Sequence, residues 1–156
     1  MLILDDLLDI SKIEANRMDL ENSDFSLRTA LYLTLKTISV AATKKGLSLI
    51  LVLDPALPDR VLGDMLRFRQ VINNLLSNAV KFTDVGKIVL SLTLKDRDKE
   101  TLVVHVIVVD TGIGIEKDKI GVIFDKFRQA NESITRKYFF FGVWLTQIDL
   151  VGLGWD

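Results

Sequence analysis

The sequence has no cysteine, two prolines and one histidine among its 156 residues. Without thiols there is no disulfide framework and no thiolate metal site, a pattern that fits a reducing compartment. Charge of one sign is also lacking. The 20 Lys and Arg nearly balance the 21 Asp and Glu, leaving a formal charge of −1 with the two signs interspersed. That balance gives no electrostatic reason to expect nucleic acid or an anionic membrane as partner. Met1 opens on Leu-Ile-Leu-Asp-Asp with no basic segment before an apolar one, so no secretory signal is read. The longest apolar stretch, Tyr138 to Leu145, is far shorter than the roughly 20 residues a membrane-spanning helix needs. These absences predict a soluble, cytoplasmic piece with one ordinary core, or a core plus an appendage.

Periodicity supplies the elements. Leu2 to Glu21 reads as an amphipathic helix, because Ile3, Leu7, Ile10 and Ile13 recur at three- and four-residue steps and Leu4 and Leu8 widen the stripe. A stripe so broad calls for a partner helix. Phe25-Ser26-Leu27 reads as a short strand, and a second helix is predicted over Arg28 to Lys45, ended by Gly46 after two lysines that suit a helix C-terminus. Leu47 to Leu53 reads as a buried strand that stops at Asp54-Pro55. Asp64 is placed to cap a helix running to about Phe82, with Phe68, Ile72, Leu75, Ala79 and Phe82 as its core face. Arg67, Val71, Asn74, Asn78 and Lys81 follow the same steps on a neighbouring face. Lys87 to Leu94 and Thr101 to Val109 read as strands, the second nearly continuous in β-branched residues and so interior to its sheet. The order predicts an α+β fold, a two-layer sandwich with helices on one face of a mixed sheet.

Chemistry gathers in two segments about thirty residues apart. In the first, Asn73-Asn74-Leu75-Leu76-Ser77-Asn78-Ala79-Val80-Lys81-Phe82-Thr83, the amides of Asn74 and Asn78 sit one helical turn apart. Neutral amide oxygens complete a Mg²⁺ shell beside phosphate oxygens without adding negative charge, and Lys81 offers a positive charge to a phosphate. Taken alone, the same residues also describe an Asn-rich solvent face. In the second segment, Asp110-Thr111-Gly112-Ile113-Gly114-Ile115, a carboxylate ends a buried strand, where it is costly without a partner. An exocyclic amine such as adenine N6 would satisfy it, and the glycines let backbone approach a flat ligand. Asp-Thr-Gly also occurs in aspartic proteases, but those need two such carboxylates and this sequence has no second Asp-Thr-Gly or Asp-Ser-Gly.

In this order and spacing the segments resemble the N box and first G box of histidine kinases of the phosphorelay type. The resemblance runs from Leu4 to about Tyr138. Leu4 to Ala15 is similar to the second helix of the family's dimerisation hairpin, and Phe124-Asp125-Lys126-Phe127-Arg128-Gln129 to its F box, which opens a mobile lid over ATP. The wording ISKIEAN, NLLSNAVKFT, DTGIGI and FDKFRQA is most like hybrid kinases with an attached receiver domain. The resemblance implies the Bergerat-type ATP-binding fold, incomplete at its C-terminus, with ATP and Mg²⁺ as cofactors. It implies catalytic roles for Asn74 and Lys81, nucleotide contacts from Asn78, Asp110, Gly112, Gly114, Phe124 and Phe127, and Mg²⁺ at Asn78. It divides the chain into a hairpin helix (1–21), an ATP-binding catalytic domain (22–138) and an atypical tail (139–156). Implied partners are ATP, a second copy or a full-length kinase through the N-terminal helix, and a response regulator's receiver domain. Related gyrase, heat-shock chaperone and mismatch-repair ATPases carry a glutamate base at the position of Asn74. An amide cannot serve as a strong base, so the family's reaction here is phosphoryl transfer to a protein side chain rather than hydrolysis.

Two departures qualify that reading. No residue matches the family's phosphoacceptor histidine. His105 lies inside an apolar strand and reads as a satisfied sheet residue, so the γ-phosphoryl group is expected to go to a histidine this sequence does not contain. Second, the family's Gly-Gly-Thr-Gly-Leu-Gly-Leu, the second G box that cradles the triphosphate, is replaced after Tyr138 by Phe139-Phe140-Phe141-Gly142-Val143-Trp144-Leu145. Asp149 to Asp156 can be back-translated so that a shifted frame reads Phe-Gly-Gly-Thr-Gly-Leu-Gly. A retained intron followed by a shifted exon would produce that relation, and the genomic sequence tests it. Losing the cradle is expected to weaken triphosphate affinity, leave the sheet with an exposed edge and place an aggregation-prone aromatic run on it. The alternative to an ATP-binding domain inactive on its own is a module that only associates through the Ile3, Leu7, Ile10 stripe.

Overall fold

The computed structural model describes residues 21–98, 101–114, 136–140 and 143–153. The hairpin-like helix and the Phe124 to Gln129 segment lie outside those residues.

Strand β1 (Ser23–Ser26) runs straight into helix α1 (Leu27–Lys44), so the strand read over Phe25 to Leu27 ends one residue early. Ser26 makes the switch. Its hydroxyl oxygen accepts from the Thr29 amide at 3.0 Å, and it donates to the Asp59 carboxylate, also at 3.0 Å. Strand β2 (Ser48–Leu53) follows, then β3 (Arg60–Gly63), which the sequence reading missed. β3 pairs antiparallel with β1 as a separate two-stranded sheet. Helix α2 (Met65–Phe82) is capped by Asp64, whose side chain accepts from the Arg67 amide at 2.9 Å. Strands β4 (Lys87–Arg97) and β5 (Leu102–Asp110) form the centre of the main sheet.

That sheet has the order β2-β4-β5-β7-β6, where β6 is Arg136–Phe140 and β7 is Val143–Leu153. β2 and β4 are parallel, which requires a crossover, and α2 provides it. The remaining pairs are antiparallel. The core lies between this sheet and the two helices. Ile88, Leu90 and Leu92 of β4 and Leu102, Val104 and Val106 of β5 are fully buried, as are Leu31 of α1 and Ile72 and Leu76 of α2. β5 alternates between buried and half-buried residues along its whole length, and His105 is on the half-buried face. The predicted α+β sandwich is therefore the observed one.

Two expectations are corrected, and a third is met at a different strand. The buried side of α2 is Phe68, Ile72, Leu76, Ala79 and Val80; Leu75 is partly buried and Phe82 is 46% exposed. β2 is an edge strand, with Ile50, Leu51 and Val52 exposed, because among the described residues only β4 flanks it. The expected exposed edge is present, displaced outward: β7 pairs with β5 from Leu102 to Asp110, and β6, which carries Tyr138 to Phe140, is outermost among the described strands. The residues that replace the second G box thus extend the sheet.

Candidate functional site

The site forms where α2 and β5 end side by side. α2 stops at Phe82 and its C-cap, Thr83, turns to extended backbone (φ −108°, ψ 123°). Thr83 is fully buried, and its hydroxyl donates to Asp110 Oδ1 at 3.3 Å. The same Oδ1 accepts from the Gly112 amide at 2.8 Å. Asp110 is only 6% exposed, and burial raises its carboxyl above the ordinary carboxylate value, with the Gly112 and Thr83 hydrogen bonds pulling in the opposite direction. Among the described residues Oδ2 has no hydrogen-bond donor. A buried carboxylate with one oxygen held and the other unmatched is suited to a small donor from a ligand.

The loop after Asp110 is fastened to α2 and to the start of β4. The Ile113 amide donates to the Phe82 carbonyl at 3.2 Å. A side chain at Gly112 would place its Cβ 2.4 Å from that carbonyl oxygen and 2.7 Å from Asp110 Oδ1, so only glycine fits. Gly114 needs its lack of side chain for another reason, a backbone φ of 78°. Thr111 joins the loop to the turn before β4: its hydroxyl donates to the Val85 carbonyl at 3.0 Å and accepts from the Lys87 amide at 3.1 Å.

Asn74, Asn78 and Lys81 are all exposed on α2. Neither amide side chain has a hydrogen-bond partner among the described residues, so both are available to a ligand. The Lys81 ammonium lies over the Phe82 ring, 5.0 Å from its centroid. The structure therefore gathers Asp110, Gly112 and Gly114 in one loop against the end of the helix that carries the other three. Phe124 and Phe127 fall outside the described residues. Among the described residues no three His, Cys, Asp or Glu side chains cluster as metal ligands. A site built from neutral amide oxygens would leave most of a Mg²⁺ shell to phosphate oxygens and water, as that ion prefers.

Thr83 is the residue that sequence reading overlooked. It closes the Asn73 to Thr83 segment, where the motif alone assigns it no role. Its signal was a polar β-branched residue directly after an amphipathic helix, where a hydroxyl must find a partner.

Residues 63–154 match the protein family described as histidine kinase-, DNA gyrase B- and HSP90-like ATPases. The chain belongs to this family. Within it, the chain is 40% identical over 135 residues to the sensor protein GacS of Pseudomonas syringae pv. syringae. It is 38% identical over 136 residues to the histidine-protein kinase BarA of Escherichia coli strain K12, and equally to hybrid signal transduction histidine kinase L of Dictyostelium discoideum. These matches cover 86–87% of this chain but only 8% of kinase L and 15% of GacS and BarA, so the chain spans a small part of its relatives' length. Full-length ShkA in complex with AMPPNP is similar in structure, with a TM-score of 0.65 and 29% identity, covering 76% of this chain and 25% of that one. The histidine kinase AdeS of Acinetobacter baumannii superposes with a TM-score of 0.72 over 94% of this chain and 75% of its own; at 18% identity it shows the fold. The resemblance to hybrid histidine kinases is borne out.

Proposed function

We propose that this chain is the ATP-binding catalytic domain of a cytoplasmic phosphorelay histidine kinase. The observation that carries it is Asp110: a buried carboxylate at a strand end, with Oδ1 held by Thr83 and Gly112 and Oδ2 left for the exocyclic amine of adenine. Gly112 and Gly114 let the base lie close to the backbone. From there the triphosphate would run along the exposed face of α2. Lys81 would meet a phosphate oxygen, Asn78 would hold Mg²⁺, and Asn74 would position the reacting phosphate. Mg²⁺, when bound, neutralises charge on the phosphates. Asn74 supports transfer over hydrolysis, since an amide does not deprotonate water. The acceptor is a dimerisation-hairpin histidine outside the given sequence, and the phosphoryl group then passes to a receiver domain. The similar ShkA structure holds an ATP analogue, and a similar structure of ThkA is a complex with a response regulator, which agrees with both partners.

Without the second G box, triphosphate contacts are fewer. The sequence Gly152-Leu153 superficially echoes that motif, but Leu153 is paired with Leu102 at the far end of β5 from Asp110, roughly 27 Å away at about 3.4 Å per residue. It cannot reach the nucleotide. A Mg-ATP titration of this chain, beside a form with Gly-Gly-Thr-Gly-Leu-Gly-Leu restored after Tyr138, tests the reading. We expect weak binding here, tighter binding in the restored form, and none in Asp110→Ala of either. Unchanged affinity in Asp110→Ala would sink the site. No binding by either parent would leave a module that only associates.

A further inference from the structure

α1 and α2 end in opposite ways. α1 closes with a self-contained cap: the Gly46 amide donates to the Thr43 carbonyl at 3.0 Å and the Leu47 amide to the Ala42 carbonyl at 2.9 Å, with Gly46 at φ 67°. α2 has no such turn. Thr83 leaves it in extended conformation, so its last carbonyls have no partner from the following backbone. The partner comes from the other helix. Lys45, the C-cap residue of α1, sends its ammonium to the carbonyls of Val80 (2.9 Å), Lys81 (3.1 Å) and Thr83 (3.1 Å). The carbonyl in between, Phe82, takes the Ile113 amide of the Asp-Thr-Gly loop. A cation on the end of a helix also meets the negative end of its dipole. Lys45 reaches Asp84 too, but at 3.5 Å and with that carboxylate 84% exposed, an arrangement worth little. The carbonyls are the partners that matter.

We infer that Lys45 is a positioning residue of the nucleotide site. It fixes the peptide units around Thr83, and Thr83 with Phe82 then fixes Asp110, Gly112 and Ile113. Cause runs through the backbone: if the Val80–Thr83 carbonyls lose their common donor, the turn relaxes. The Thr83 hydroxyl then moves relative to Asp110 Oδ1, and the carboxylate loses its aim at the base. This inference rests on the ATP reading above, and its specific content is adenine recognition rather than phosphate binding.

The test uses the full chain with Mg-ATP and Mg-ITP, the latter carrying an oxygen where adenine has its amine. In Lys45→Met, which keeps the length of the side chain and drops the charge, ATP affinity should fall about tenfold, the loss expected for one well-aimed charge-assisted hydrogen bond. ITP affinity should change little, so the ATP:ITP ratio narrows by the same factor. Lys45→Arg should recover most of the ratio, and Asp84→Asn should leave it unchanged. A merely stabilising lysine would lower the thermal midpoint without moving the ratio in folded protein; that result overturns the inference. Should Lys45→Met fail to fold, Lys45→Gln decides by the same ratio. Amide exchange provides a readout free of nucleotide. The amides of Gly112 and Ile113 should exchange faster in Lys45→Met, and unchanged protection there overturns the inference. A wild-type chain that ignores ATP while those amides still respond would sink only the ATP reading.

Discussion

Asp110 costs the fold something that a ligand can return. Burial raises its carboxyl above the ordinary value of 3.8, so between the two values the folded chain binds more protons than the unfolded one. The stability linked to Asp110 is therefore complete below the unfolded value and is lost as pH rises through the folded one. Asp110→Asn keeps an oxygen for Thr83 and Gly112 but cannot ionise. Its thermal midpoint should exceed wild type at neutral pH and converge with it in acid; superimposable profiles would refute the assignment. Only part of this was legible at the residue scale. The motif pointed to Asp110, Gly112 and Gly114. Thr83 and Lys45 emerge only when two helix ends and a loop meet, through contacts that span 27 residues from Thr83 to Asp110 and 35 from Lys45 to Val80.

At the scale of the element, α2 does two jobs on one cylinder. Its ends were readable because capping chemistry is local: Asp64 opens it and Phe82 closes it. Its polar face was readable too. The core face was displaced by a fraction of a turn, toward Leu76 and Val80 and away from Phe82, because β4 and β5 approach from one side. Periodicity fixes the angles between residues on a helix and leaves its rotation about the axis to its neighbours. Leu76→Ala should therefore cost about 2–5 kcal/mol in chemical denaturation. Phe82→Ala should cost about 1 kcal/mol or less, as for a half-exposed ring under a lysine. The reverse ranking would restore the face that the spacing alone implies.

For the molecule as a whole, β5 is the strand on which everything else is registered. It is paired along both edges, with β4 on one side and β7 on the other, and it ends at the site. Among the described residues β2 has a neighbour only on one side, and it carries exposed Ile50, Leu51 and Val52. Native-state hydrogen exchange should be slowest in β5 and markedly faster at the free edge of β2. Rapid exchange along the β7-facing edge of β5 would show that the tail does not hold its place in the sheet. Among the described residues no helix is long and apolar enough to cross a membrane.

The sequence by itself determined what depends on near neighbours: where the two described helices start and stop, that β5 is interior, and which amides, carboxylate and glycines are candidates for the chemistry. It also carried the likeness to histidine kinases, since that likeness resides in contiguous motifs. Tertiary structure decided what depends on partners far along the chain. β2 became an edge, a four-residue strand formed opposite β1, and the unusual tail took the place beside β5. Above all it brought Lys45 to the end of a helix it does not belong to, and so joined α1 to Asp110. Backbone groups without a local partner must be satisfied by whatever folding brings near, and one-dimensional spacing does not say what that is.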